Sequence, residues 1–353
     1  MKILVTGGAG FVGSSICLQL KQRYPSFEIV AFDNLKRRGS EMNLADFKEK
    51  GIEFVHGDIR NKEDLDAING YDLLIEASAE ASVLAGLDSD PTYIINNNFN
   101  GSINCFNSCL KHNAKLIFLS SSRVYPIETI ESAKFTEDET RFSFSENQNI
   151  PGISHLGISE ALALNGARSF YGATKLASEL FIEEYASFYG LQASVIRFGV
   201  IAGPRQMGKV DQGVVTLWMA RHYWKKPLKY IGYGGSGKQV RDMLHIDDLV
   251  DLVDLQIQNM NPFLGKVFNA GGGLANSASL LEMSQICEKI TGNKIDIASE
   301  LVNRPADLRI FITDNTKIEA ATSWKPTKSV TNIFVDIYQW IQQNEQQLKP
   351  LLT

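Results

Sequence analysis

The chain has 353 residues, with 35 Lys and Arg against 40 Asp and Glu, a formal net charge of −5 and a pI near 5.7. Charged residues at 21% and hydrophobic ones at 44% exclude a disordered chain, and the acidic balance argues against broad nucleic-acid binding, which needs a basic field. The four cysteines, Cys17, Cys105, Cys109 and Cys287, have neither a disulfide spacing nor a second ligand pair for zinc, so buried reduced thiols and no metal are expected.

The opening MKILVTGGAG runs straight into a strand and a glycine turn, unlike a secretory leader, and no run reaches the ~18 apolar residues of a membrane span. A cytoplasmic protein without a membrane partner is expected. Short apolar runs at Lys2–Thr6, Glu28–Phe32, Glu53–His56, Leu73–Glu76 and Leu116–Ser120 read as strands. Amphipathic stretches such as Gly13–Arg23 and Asn98–Lys111 separate them at crossover length. The pattern is that of an α/β protein with a doubly wound parallel sheet of Rossmann type.

Residues 126–168 break the rhythm with an acidic cluster, Glu137-Asp138-Glu139, and several Gly, Asn and Ser, suggesting an excursion over the active-site side. Ser194–Phe198 and Lys266–Asn269 read as later strands returning to the sheet. The expected organisation is a dinucleotide-binding domain over 1–198 with 241–270 returning to it. A smaller C-terminal substrate-binding lobe covers 199–240 and 271–330, and a C-terminal helix and tail covers 331–353. In the last helix, Ile333, Ile337, Tyr338 and Ile341 form the apolar stripe.

Chemistry-bearing residues fall at two places. Gly7, Gly10 and Gly13 follow the first strand and open the first helix, where glycines permit a tight turn and close backbone approach to a pyrophosphate beside the helix amides of Phe11 and Val12. Asp33 lies 20 residues beyond Gly13 at the end of the second strand, where a carboxylate accepts from a ribose diol. That position favours NAD over NADP, although Arg37 and Arg38 could attract a 2′-phosphate. Asn34 follows Asp33, and Asp58 reads either as an adenine contact or as a solvated turn acid. Tyr171 and Lys175, four residues apart, share a face if helical, and a cation there lowers a phenol pKa for proton abstraction. Ser121, in the Ser120-Ser121-Ser122 strand end, is the expected alcohol-orienting hydroxyl, with its two neighbours as local alternatives.

These features, with Arg241-Asp242-Met243-Leu244-His245-Ile246-Asp247-Asp248, resemble the extended short-chain dehydrogenase/reductase family in its NAD-dependent epimerase/dehydratase branch. The resemblance covers essentially the whole chain. It implies bound NAD, catalytic roles for Ser121, Tyr171 and Lys175, and a homodimer or homotetramer. It extends the cofactor set to Ile59, Ala79, Asn98 and Ser120.

Further motifs are similar to nucleotide-sugar 2-epimerases of CDP-linked dideoxyhexoses: Phe32-Asp33-Asn34-Leu35 before Arg37, Arg38 and Gly39, then Asp211-Gln212-Gly213, Gly237–Asp242, Asn276–Glu282 and Arg304–Arg309. A nucleotide-diphosphate sugar is therefore the expected partner, with Ser121, Ser122, Arg205, Gln206, Gln212, Arg241, Arg304 and Arg309 as candidate substrate contacts. For each arginine a plain ion pair is an alternative, and His245 reads as structural. Dehydratases of the branch carry Thr-Asp-Glu where this chain has Ser121-Ser122-Arg123, and serine and arginine cannot supply the acid–base pair that water elimination needs. Where many relatives have His-x-Ala-Ala/Gly, this chain has Glu76-Ala77-Ser78-Ala79-Glu80-Ala81, so Glu80 could face the substrate. A UDP-hexose 4-epimerase, a nucleotide-sugar oxidoreductase and a non-catalytic nucleotide-sugar-binding protein stay open as alternatives.

Overall fold

The structure is a computed structural model and describes residues 1–87, 89–208 and 212–353. Its polypeptide divides into two compact units, one of residues 1–124, 169–197 and 249–268, the other of 125–168, 198–248 and 269–353.

The first unit is built on an all-parallel seven-stranded sheet flanked by helices. Its strands are β1 (Lys2–Thr6), β2 (Glu28–Asp33), β3 (Glu53–His56), β4 (Leu73–Glu76), β5 (Lys115–Ser121) and the later strands Ala193–Phe198 and Val267–Ala270. The order is 267–270, 193–198, β5, β4, β1, β2, β3, which is the expected doubly wound Rossmann-type arrangement. Ile3, Leu4 and Val5 of β1 are fully buried because helices cover both faces of the strand, which is why it reads as an unbroken apolar run. Beneath the sheet, Leu4, Leu74, Leu116 and Phe118 pack against Cys105, Phe106 and Cys109 of the helix Gly101–His112. All four cysteines are buried free thiols.

The second unit carries a mixed sheet. Its long strand Val240–His245 pairs in parallel with Val200–Ala202 and Ile310–Phe311 and antiparallel with Ser277–Ser279. Ser279 and Glu282 form a reciprocal cap that starts the helix Leu280–Thr291, so this stretch of the Asn276–Glu282 motif fixes a helix start. The last amphipathic segment forms Val330–Gln343, burying Ile333, Ile337 and Ile341 fully while Tyr338 stays half-exposed, and a second helix, Glu345–Leu352, follows Asn344. The acidic cluster occupies the turn of a hairpin between Phe135–Glu137 and Phe142–Phe144; Glu137 pairs with Lys238 at 2.9 Å and Asp138 accepts from Ser143 at 2.9 Å. Among the described residues no helix is long and apolar enough to cross a membrane, and no cluster of His, Cys, Asp and Glu is disposed to hold a metal.

Candidate active site

Because β1 lies between β2 and β4, the loops after β1 and β4 diverge at a switch point, the usual ligand crevice of such sheets. Gly7 leaves β1 with φ +65°, and a Cβ there would lie 2.7 Å from Ser78 Cα in the loop after β4. Gly13, in the first turn of α1 (Phe11–Arg23), would place a Cβ 2.2 Å from the Gly7 carbonyl oxygen. Side chains are thus excluded from the turn by backbone on both sides. Helix α1 begins at Gly10 with no side-chain cap and no acid in its first turn, so its dipole end and first amides suit a phosphate.

Asp33 closes the other side of the turn. Its carboxylate accepts from the Ala9 amide at 3.1 Å and the Leu35 amide at 2.7 Å. Burial pushes its pKa up, and these amides oppose the shift. The glycine cradle, uncapped amides and tethered acid together fit a dinucleotide. Asn34 donates to Asp58 at 2.9 Å, and Arg60 grips Asp58 at 2.6 Å, holding that carboxyl down at about 2. Asp58 is therefore part of a local polar cluster at the end of β3. Ile59 is buried and lies where a Cβ on Gly101 would meet it at 2.5 Å. Phe11 and Val12 are half-buried in the first turn of α1, and Ala79 is exposed after β4. Asn98 sits in a π-helical turn, Asn96–Asn100, and clamps Glu80 by two bonds, accepting from its amide at 2.8 Å and donating to its carbonyl at 2.9 Å.

The chemical set gathers at the carboxyl end of β5. The helix Phe170–Tyr189 starts on Ser169, whose hydroxyl accepts from the Gly172 amide at 3.2 Å. Tyr171, Lys175 and Glu179 then recur at four-residue spacing, one turn apart on one side of the helix. Ser121 is the side chain that lowers the Tyr171 phenol pKa from close by, and its Oγ accepts from the Arg123 amide at 3.1 Å. Ser120 is committed elsewhere: its hydroxyl donates to the buried Glu179 carboxylate. Ser122 opens a short 3₁₀ turn, Ser122–Val124. Of the three serines, the structure brings Ser121 to the tyrosine.

The electrostatics differ from the sequence expectation. Desolvation pushes the Tyr171 phenol up; Ser121 and the Arg123 charge pull it down, and the Glu80 charge pushes it up further. The Lys175 ammonium, 2% exposed, lies 4.4 Å from the centroid of the Phe118 ring, and burial lowers its pKa while Glu76 raises it. The net direction on Tyr171 is upward because removal from water outweighs the nearby donor and cation.

Sequence reading missed two groups here. Glu179 makes a doubly bonded pair with Arg197, Nη2 to Oε2 2.7 Å and Nε to each carboxylate oxygen 3.1 Å, with side chains 3% and 6% exposed. Its spacing from Lys175 was a usable signal. Glu76, wholly buried at the end of β4, is the other.

The substrate candidates of the second unit have the following surroundings. Gln206 uses both ends of its amide, donating to Ile201 O at 2.9 Å and accepting from Thr216 at 2.8 Å. Arg241 is paired with Asp307 at 2.6 Å and donates to the carbonyls of Val240 and Leu308, each at 2.7 Å. Arg309 faces Glu131 at 3.6 Å and lies over the rings of Phe135 and Tyr233 at 4.1 and 5.2 Å. Arg205 has a left-handed backbone, φ +73°, and Arg304 and Gln212 are half-buried. Asp211, in the Asp211-Gln212-Gly213 motif, lies outside the described residues. His245 is buried, its Nδ1 accepting from the Asp247 amide at 3.0 Å with Asp336 3.2 Å from Nε2.

Residues 3–271 match the family model described as the NAD dependent epimerase/dehydratase family. Over 350 residues the chain is 33% identical to CDP-paratose 2-epimerase of Salmonella typhi, covering 96% of this chain and 99% of that protein. Among solved structures, UDP-glucose 4-epimerase with UDP-glucose from Thermotoga maritima superposes with a TM-score of 0.80 at 25% identity, covering 98% of this chain and 100% of that one. The dTDP-glucose 4,6-dehydratase of Bacillus anthracis in complex with NAD gives a TM-score of 0.76 at 25% identity, covering 99% of each chain.

Proposed function

The chain belongs to the NAD-dependent epimerase/dehydratase family, and from that membership we propose that it is a nucleotide-sugar 2-epimerase converting CDP-paratose to CDP-tyvelose. The observation that carries the epimerase reading is Ser121 at the end of β5, acting on the Tyr171 phenol and accepting from the Arg123 amide at 3.1 Å. A hydroxyl and a phenol suffice to move one proton on and off an alcohol. Elimination of water needs an additional acid–base pair, and the residues after Ser121 are Ser122 and Arg123. The choice of a CDP-linked substrate is supported by the 33% identity to CDP-paratose 2-epimerase along nearly the full length of both chains.

When bound, NAD, the cofactor of the family, would supply reversible hydride transfer at the sugar carbon. The residues assigned to hold it are Gly7, Gly10, Phe11, Val12 and Gly13 at the turn, Asp33 and Asn34 at the ribose end, and Asp58 and Ile59 beyond them. Ala79, Asn98, Ser120, Tyr171 and Lys175 complete that set. Tyr171, ionised to the phenolate by loss of its own proton to solvent, takes the proton of the C2 hydroxyl while Ser121 holds the oxygen. The C2 ketone then turns its other face, and Tyr171 returns the proton. Arg205 and Arg304 supply positive charge for the diphosphate, joined by Arg241 and Arg309 where the diphosphate displaces Asp307 and Glu131. Ser122 and Gln212 supply hydrogen bonds to the sugar or base, and Gln206 does so only by giving up Ile201 or Thr216.

Incubation of the purified protein with CDP-paratose, followed by NMR of the sugar ring, is expected to give CDP-tyvelose without net NADH. A parallel panel of UDP-, GDP- and dTDP-hexoses separates the alternatives. Turnover of a UDP-hexose at C4 with CDP-paratose untouched would replace this reading by a 4-epimerase, and stoichiometric NADH would replace it by an oxidoreductase.

A further inference from the structure

Glu76 ends β4 with no exposed surface, an unusual place for a carboxylate. In the parallel register it lies opposite Phe118 of β5 and Thr6 of β1, so the Glu76 and Phe118 side chains leave the sheet on the same face. The Lys175 ammonium sits over that same Phe118 ring, 4.4 Å from its centroid. Hydrogen bonding alone does not satisfy the acid. Ser102 Oγ lies 2.7 Å from Glu76 Oε1 but also 2.7 Å from the Asn98 carbonyl, and a hydroxyl has one hydrogen to give. Oε2 has no hydrogen-bond partner among the described residues.

Lys175 has the converse need. The charged or titratable groups acting on it are Glu76 from β4, Cys105 from the helix Gly101–His112, and Glu179 from its own helix. Glu179 is already bonded to Arg197 and Ser120, and the buried Cys105 thiol is pushed well above its usual range. That leaves Glu76 as the anion available to the ammonium. Burial pushes Glu76 up and Lys175 down, and in each the other is the largest opposing influence. Cys109, the other titratable group near this acid, is a buried thiol.

We propose that Glu76 is the counter-charge that holds Lys175 in place and protonated, a positioning residue acting on the catalytic set through that lysine. The proposal rests on the reading of Lys175 as a member of that set. An uncharged residue at 76 leaves a buried ammonium uncompensated, so Lys175 gives up its proton at a lower pH. A step that needs the ammonium is lost as pH rises through that pKa, and the alkaline limb of the kcat profile moves to lower pH.

The test uses protein carrying ¹³C at lysine Cε, with the Lys175 resonance assigned by its loss in Lys175→Met. In Glu76→Gln, which keeps the shape of the acid, the resonance is expected to titrate about 1 pH unit or more below wild type. The alkaline limb should move with it, and KM should change by no more than about twofold. Glu76→Asp, which keeps the charge, should restore most of both shifts; Glu76→Met, which cannot ionise, stands in if the glutamine variant does not fold. An unmoved Lys175 titration in either uncharged variant would overturn the proposal, because it would mean that Glu76 is neutral. Full turnover in Lys175→Met would instead remove lysine from the catalytic reading, while the titration still reports on the pair.

Discussion

Tyr171→Phe lowers turnover by about 10²–10⁴-fold and leaves dinucleotide affinity nearly unchanged. The phenol, acted on by Ser121, is the group assigned to take and return a proton on the reacting alcohol. Phenylalanine keeps the ring at the start of the helix Phe170–Tyr189 and removes only the oxygen. The upward push on the Tyr171 pKa makes the expectation sharper. Burial opposes loss of the phenol's own proton, and Ser121 and the Arg123 charge are the influences that favour the ionised form able to take the alcohol's proton. Steady-state rates on the nucleotide sugar and a titration with the dinucleotide, each on both proteins, measure the two halves. A rate within about threefold of wild type removes Tyr171 from the mechanism.

The second large effect is on stability. Glu179→Ala is expected to cost about 3–5 kcal/mol, because it strands the Arg197 guanidinium in a buried site and takes the acceptor from Ser120. Both side chains are nearly inaccessible, so water cannot replace the lost carboxylate. The double variant Glu179→Gln with Arg197→Met should recover part of that loss, since a buried pair exchanged for neutral or apolar groups is often close to neutral. Equilibrium urea unfolding of the three proteins checks this. A loss under about 1 kcal/mol for Glu179→Ala would mean the pair is compensated by groups other than those described.

The dinucleotide end of the fold was legible because its signals are local. Apolar runs of four to seven residues form β1 to β5, and the glycines and Asp33 fall where a strand must end and turn. The positions of Tyr171 and Lys175 on one side of a helix and of Ser121 at a strand end were legible for the same reason. The mixed sheet was not. Val200–Ala202, Ser277–Ser279 and Ile310–Phe311 are two or three residues long, too short to show alternation, and they come together only around Val240–His245.

Partners that settle charge were also hidden. An acid at position 179 of a helix reads as surface until Arg197 arrives from a neighbouring strand. Glu76 reads as the end of a strand and the start of an unusual motif until register puts it beside Phe118, with the lysine over that ring. Arg241 and Arg309 read as phosphate contacts or plain ion pairs, and in the folded unit Asp307 and Glu131 face them. Desolvation reverses the expected direction at Tyr171, and spacing carries no information about solvent.

Central to all of this is that one hydrogen leaves a sugar carbon and returns to the same carbon on its other face. Turnover of CDP-paratose bearing deuterium at C2, in ordinary water, tests that directly. Hydride shuttling keeps the label at C2 of the CDP-tyvelose product, with no solvent hydrogen entering. Loss of the label to water would mean proton abstraction from carbon, and the roles given to Tyr171, Ser121 and the dinucleotide would fall together.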